Sequence, residues 1–257
     1  MTESWQPIRK QSRKDTVSSP LATACYSRMN ETEKQEYIAY LMSRKSSSRH
    51  NYHKECLKVL EQFRHQFPSR NPKVILHVCC VVCACWPLDF LHENGCEVTV
   101  YYSNSNIWPK QEYDLRLAEL KRYLHERWHD EIPLVEDSYD YDTYEKTILK
   151  NRGTDPEGWK SCFGCYAYRI ASAAAYGEAH GFDFVSSVLT FSRQKDSEKI
   201  NEIGMQVTSG RSIRWLVSDF KKADGARKSE KICCQWDLYR QDYCGCRYSY
   251  DERHPQK

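Results

Sequence analysis

The apolar run Val74-Ile75-Leu76-His77-Val78 leads without a break into Cys79-Cys80, and a second run, Val98-Thr99-Val100-Tyr101-Tyr102, follows after Asn94-Gly95. Short aliphatic runs of this kind read as strands buried on both faces. Residues from about 87 to 93 read as a helix, so the segment is a strand-helix-strand unit. Strands joined by a crossover helix lie parallel, and a parallel sheet needs helices on both of its faces. Downstream the chain supplies them. Tyr113, Leu117, Leu120 and Leu124 mark a long helix, and Pro133-Leu134-Val135 marks a weak strand. The alanine-rich residues 166–180 predict a helix closed by Gly181, and 182–189 predict a strand. Residues 196–204 and 227–236 read as helical and 213–217 as extended. The alternation predicts an α/β fold, a Rossmann-like, mostly parallel sheet flanked by helices, with no internal repeat.

Upstream, residues 1–28 are polar and aperiodic, the pattern of a flexible basic arm. Residues 29–70 predict a helical extension. Thr32-Glu33-Lys34-Gln35 fits a capping box ahead of Ile38, Leu41 and Met42. After the serines at 46–48, Tyr52, Cys56, Val59, Leu60 and Phe63 recur at helical spacing until Pro68. The α/β domain is expected over 71–257. Residues 1–70 carry 13 Lys and Arg against 7 Asp and Glu, whereas the remainder carries 25 against 28. The basic excess therefore sits in the arm and extension, as a solvated tail or as a source of sequence-independent affinity for a nucleic-acid backbone.

Mean hydropathy is −0.78, and no stretch approaches the ~18 uninterrupted apolar residues of a membrane span. No apolar core follows the basic N-terminus as it would in a secretory signal, so a cytoplasmic protein is expected. Its 13 cysteines are then thiols available for metal or redox chemistry rather than disulfide staples.

Seven of them fall into three groups. Cys79, Cys80 and Cys83 follow the first strand, where α/β sheets place ligand sites. Cys162 and Cys165 form a CxxC at the start of a predicted helix, whose N-terminus favours thiolate and should lower both pKa values. Cys244-Gly245-Cys246 is a dithiol on a link short enough to close into a strained, labile disulfide. Cys25, Cys56, Cys85, Cys96, Cys233 and Cys234 lack partnered spacing and read as small buried hydrophobes. Four thiolates from a CC pair and a CxxC suit tetrahedral zinc or a 4Fe-4S cluster. Spacing does not choose between them, although adjacent cysteines reach one small ion poorly.

Other polar groups surround these. Tyr101, Tyr102, Asn104, Asn106 and Ile107 either contact a polar ring or serve as turn residues. Ser192, Arg193, Gln194 and Lys195 follow a strand and either make phosphate or ribose contacts or form a solvated loop. Ser218-Asp219-Phe220-Lys221-Lys222 sets two lysines beside an aromatic, as RNA backbone contacts or as a charged surface turn. His77, inside a strand, reads as a satisfied core histidine rather than a ligand.

Four runs carry a family resemblance: Leu76-His77-Val78-Cys79-Cys80-Val81-Val82-Cys83; Ser161-Cys162-Phe163-Gly164-Cys165-Tyr166; residues 190–204; and Asp219-Phe220-Lys221-Lys222 with Leu238-Tyr239-Arg240-Gln241-Asp242-Tyr243-Cys244-Gly245-Cys246. In this order, over about residues 73–250, they resemble the QueH type of epoxyqueuosine reductase. The resemblance implies an iron–sulfur oxidoreductase that converts epoxyqueuosine to queuosine at the wobble position of tRNA, the final step of queuosine biosynthesis. It implies a 4Fe-4S cluster on Cys79, Cys80, Cys162 and Cys165, and a redox-active pair in Cys244 and Cys246. Cys83 is left for an additional mononuclear iron. Reducing equivalents come from an electron donor that the resemblance does not identify, and Tyr243 and Asp242 are candidate proton donors. The family commonly has Ala-Pro where this chain has Val81-Val82, which bears on the loop more than on the ligands.

Three rivals compete. A zinc-stabilised RNA-binding module without catalysis uses the same thiols. A tRNA thiolation enzyme of the ATP-pyrophosphatase type would need a glycine-rich phosphate loop where this chain has CCVVC. A protein thiol–disulfide oxidoreductase explains only the CxxC.

Overall fold

The computed structural model describes residues 26–44, 50–150 and 152–255. Strands β1 (Lys73–His77), β2 (Glu97–Tyr102), β3 (Leu134–Glu136), β4 (Phe184–Ser187) and β5 (Arg214–Trp215) form one sheet. Its order is β3-β2-β1-β4-β5, with every neighbouring pair parallel. The chain leaves β1 for β2 on one side and later returns to β4 on the other. The carboxyl ends of β1 and β4 therefore flank the point where strand order reverses, the crevice in which such sheets bind ligands.

Around the sheet lie α1 (Glu31–Ser43), α2 (Tyr52–Gln66), α3 (Val81–Glu93), α4 (Lys110–Trp128), α5 (Tyr141–Tyr144), α6 (Lys160–Ala179), α7 (Ser197–Thr208), α8 (Gly225–Gln235) and α9 (Arg247–Arg253). Alternation along the strands divides the core in two. Val74, Leu76, Val100 and Phe184 pack with Leu60 and Phe63 of α2, Leu88 of α3, Leu120 of α4 and Cys233 of α8. Ile75, Tyr101, Val185 and Trp215 pack with Leu41 of α1, Ala174 of α6 and Ile203 of α7. Close approach matters on this second face: a Cβ on Gly204 would stand 2.2 Å from the Trp215 ring. Among the described residues no helix is long and apolar enough to cross a membrane.

The predicted alternation is present, with shifted boundaries. The α1 capping box is formed by Asn30 and Glu33, not by Thr32. Asn30 Oδ1 accepts the Glu33 N–H at 2.9 Å, and the Glu33 carboxylate accepts the Asn30 N–H at 2.8 Å. Pro87, which reads as a helix start, lies inside α3. The helix begins at Val81 and so takes in Cys83, losing only the bond that Pro87 cannot donate. Helix α9 and the short helical turns of 141–149 are additions to the predicted alternation. Of the arm expected over 1–28, only the 3₁₀ turn Tyr26–Arg28 is described; the rest, Cys25 included, lies outside the described residues.

Candidate active site

Past β1 the backbone turns through Cys79 and Cys80 into α3, with Cys83 in its first turn. The three sulfurs lie within 4.8 Å of one another. A tetrahedral ion with sulfur at ~2.3 Å holds its ligand sulfurs about 3.8 Å apart, so Cys79, Cys80 and Cys83 form a group able to hold a metal ion. Hydrogen bonds from Cys80 and Cys83, aided by Arg169, hold the Cys79 thiol well below its usual range. The same bond to Cys79 pushes Cys80 up to about 12 and helps push Cys83 well up.

Helix α6 presents Cys162 and Cys165 in its first two turns. Gly158 N–H donates to Cys162 Sγ at 3.2 Å, and Arg152 Nη1 stands 3.9 Å away. The expected fall in their pKa values does not occur. Burial pushes Cys162 up to about 11 and raises Cys165 as well. Both thiols are less than a tenth exposed, at 8% and 7%, so desolvation outweighs the partial charge of a helix terminus.

Cys244 and Cys246 come from the far end of the chain, and three contacts seat them. Arg116 donates to the Cys244 carbonyl and the Tyr243 carbonyl, each at 3.2 Å. Trp108 N–H donates to the Gly245 carbonyl at 2.7 Å, and the Cys244 N–H donates to Ser249 Oγ at 3.0 Å. Gly245 has φ +126°, a conformation that favours glycine, and a Cβ there would lie 3.1 Å from Ile107. Burial, then Cys244, pushes Cys246 up to about 12. Cys162, Cys165 and Cys246 each feel Cys244 electrostatically, so the CxxC and CxC are neighbours. Gln241 of the same segment donates to Cys80 Sγ at 2.8 Å. A cavity of about 270 Å³ is lined by Cys79 and Cys83, by the loop through Gln194 and Lys195, and by Gln241 and Cys244. A larger cavity, about 520 Å³, is lined by Asn71, Lys73 and Glu97 at the opposite ends of β1 and β2 and by none of the seven grouped cysteines.

Three buried arginines, which sequence reasoning missed, surround the thiols. Arg116 pairs with Glu112 at 2.6 Å and is influenced by Cys80 and Cys79. The Arg152 side chain, 2% exposed, reaches Glu252 at 3.3 Å and faces Cys246 and Cys162. Arg169 donates to Asn104 Oδ1 at 2.7 Å and His77 Nε2 at 3.3 Å, and no carboxylate pairs with it among the described residues. Its ionisable neighbours include the thiols of Cys165, Cys79 and Cys244. A buried guanidinium needs an anion, and the lowered Cys79 thiol beside it is a source of one, so the site fits a thiolate-bound metal centre better than a set of protonated thiols. One signal was available: Arg169 follows Cys165 by four residues, one helical turn, on the same face.

The remaining candidates are distributed as follows. His77 is fully buried, hydrogen-bonded to Ser187 at 2.8 Å, and pushed down to about 3 by burial and by Arg169; it is a core histidine. Tyr101, Tyr102 and Asn104 are scaffold, bonded to Ser172 (3.0 Å), to the Tyr113 carbonyl (3.1 Å) and to the Val78 carbonyl (2.8 Å). Asn106 and Ile107 are buried beside Gly245. Lys221 turns inward: its ammonium donates to the Thr190 carbonyl at 2.8 Å and reaches those of Ser192 and Lys195 at 3.5 Å. It fastens the loop that carries Ser192–Lys195 instead of contacting RNA, and Lys222 alone of the pair is exposed. Tyr243 Oη donates to the Trp108 carbonyl at 2.6 Å, and Asp242 is an exposed partner of His254 at 2.9 Å. Both residues nonetheless line the thiol cavity, the hydroxyl engaged by Trp108 and the carboxylate reaching the surface.

Residues 74–252 match the model of the family described as epoxyqueuosine reductase QueH. The chain is 35% identical over 184 residues to epoxyqueuosine reductase QueH of Streptococcus pyogenes serotype M1, covering 70% of this chain and 71% of that protein. It is 31% identical over 212 residues to the protein of the same name from Staphylococcus epidermidis, covering 80% and 87%. To the Staphylococcus aureus protein it is 32% identical over 211 residues, covering 80% and 86%. With the matched segment spanning all three thiol groups and the crevice between them, the chain belongs to the QueH family of epoxyqueuosine reductases.

Proposed function

We propose that the chain reduces epoxyqueuosine to queuosine at the wobble position of tRNA. One observation carries the reading: a single cavity joins Cys79 and Cys83 at the end of β1, Cys244 from the C-terminal segment and the loop after β4. Removing an epoxide oxygen as water consumes two electrons and two protons and leaves an alkene.

In this reading Cys79, Cys80, Cys162 and Cys165 hold a 4Fe-4S cluster and Cys83 takes an additional iron. When bound, such a centre supplies electrons and a Lewis acid for the departing oxygen. Cys244 and Cys246 contribute two electrons and two protons by closing from dithiol to disulfide, and an external donor then reopens them. Arg116 and Gln241 seat this segment against the β1 thiols. Lys195 lines the cavity, makes no hydrogen bond or ion pair through its ammonium among the described residues, and is influenced by Cys244 and Cys79. It puts a positive charge on the wall of the cavity.

Replacing Cys244 by Ser tests the assignment. Turnover of tRNA bearing epoxyqueuosine should stop while iron and sulfide per chain, and the visible absorption, stay near wild type. Surviving activity would overturn the redox role of the pair. Zinc without sulfide in protein purified without oxygen would favour the RNA-binding reading instead.

A further inference from the structure

Beside the thiol cavity lies a second one, of about 230 Å³, that shares Gln194 and Lys195 with it. Trp159, Phe163, Arg44 and Lys199 complete most of its lining. Trp159 is 47% exposed, although a tryptophan without a partner usually buries its large apolar surface. Arg44 follows α1 and is tied to Glu202 of α7 at 2.6 Å; Lys199 shares that carboxylate at 3.8 Å. Asp196 also lines the cavity, but its carboxylate caps α7, accepting the Glu198 and Lys199 N–H groups at 2.9 and 3.4 Å. Three cations thus face two committed carboxylates. The surplus is one positive charge, the amount that a single phosphodiester neutralises.

We propose that this second cavity is a subsite for a nucleotide adjoining the wobble position, its base stacked on Trp159 and its phosphate held by Lys195, Arg44 and Lys199. An aromatic face beside a cationic wall is the combination that holds single-stranded nucleic acid without reading its sequence. Continuity sets which nucleotide enters: the shared Gln194 and Lys195 make the two cavities adjacent rooms, so a chain with one nucleoside at the thiols places its neighbour here. The subsite also gives the N-terminal extension a task, because Met42 and Arg44 form part of its wall.

The proposal rests on the reading of tRNA as substrate, and the test separates the two. Binding is measured for an anticodon stem-loop RNA bearing epoxyqueuosine, and for the same RNA made abasic at the position before or after the wobble nucleotide. Trp159→Ala should weaken binding of the intact loop roughly 10-fold and should add almost nothing on one of the abasic loops. Trp159→Phe should recover most of the loss, which guards against a folding defect. Equal losses on all three RNAs, or no loss on any, would overturn the subsite. Wild-type protein that binds the loop and never reduces it would instead overturn the functional reading, with the binding cycle still legible.

Discussion

Replacing Arg169 by Met tests whether the site is built around negative charge. The guanidinium is 1% exposed; it donates to two neutral groups, Asn104 at 2.7 Å and His77 at 3.3 Å, and also hydrogen-bonds the Cys165 thiol. Its value therefore depends on the state of Cys79, Cys165 and Cys244. With the thiols protonated it is a buried charge among neutral partners, and an apolar side chain of similar length is neutral or stabilising by about 1–4 kcal/mol. With thiolates bound to metal, removing it strands buried anions at a cost of about 3–5 kcal/mol. Metal affinity should fall by the difference, at least ~3 kcal/mol, which is about 150-fold. Metal retained per chain against a chelator series, with thermal melting of the metal-free protein at a pH low enough to protonate Cys79, read both halves. The variant should lose metal at far lower chelator concentration, yet melt at or above wild type when metal-free; Arg169→Lys should fall between. Metal held as firmly as in wild type would refute the charge argument. So would a metal-free variant that has lost several kcal/mol, since Arg169 would then be a structural strut through Asn104 and His77.

Three further outcomes follow from particular contacts. Leu60 of α2 is 0% exposed in the main core, so Leu60→Ala should cost about 2–5 kcal/mol and lower Tm by roughly 5–15 °C in calorimetry; a loss under ~1 kcal/mol would show that the extension merely leans on the domain. Gly245→Ala forces a Cβ to 3.1 Å from Ile107 at φ +126°, a strain of about 1–3 kcal/mol, and should abolish turnover with metal content kept; normal turnover would show that the CxC conformation is unimportant. Glu178 accepts from Ser212 N–H at 2.8 Å and Arg211 at 2.8 Å, and the Ser212 bond foremost holds its carboxyl below the usual range. A depressed pKa gives stability that is present above the unfolded value of about 4.5 and lost as pH falls through the folded one. Wild type should thus exceed Glu178→Gln in urea midpoint at pH 7 and converge with it as pH falls through the lowered folded value; a gap independent of pH would assign the effect to shape instead.

Where the residue pattern is local, the sequence discloses it. The strand at β1 and the helix-sheet alternation follow from apolar runs and their periods, and the thiol groups follow from spacing within a few residues. Boundaries are less legible where two local signals compete. Pro87 favours a helix start, while the packing of Val81, Ala84 and Cys85 in the core begins α3 earlier. The CxxC shows a different failure. Helix position alone favours thiolate, but burial decides the sign, and burial of Cys162 depends on segments distant in sequence. Lys221 likewise reads as a surface cation because its acceptors, the carbonyls of 190–195, are supplied by another loop.

The arginines explain why this site is harder to read than its cysteines. Seven thiols announce themselves by type, since so many are hard to account for as packing. Arg116 and Arg169 sit on helices in which arginine is ordinarily a solvated face, and only contacts with segments distant in sequence show what they are for. Arg116 reaches carbonyls of Tyr243 and Cys244, 127 and 128 residues away, so one side chain both fixes the CxC and offsets charge near Cys80. Loss of Arg116 should therefore damage the placement of the pair and the electrostatics of the β1 thiols together. Cys244→Ser, which spares the guanidinium, should damage only the former.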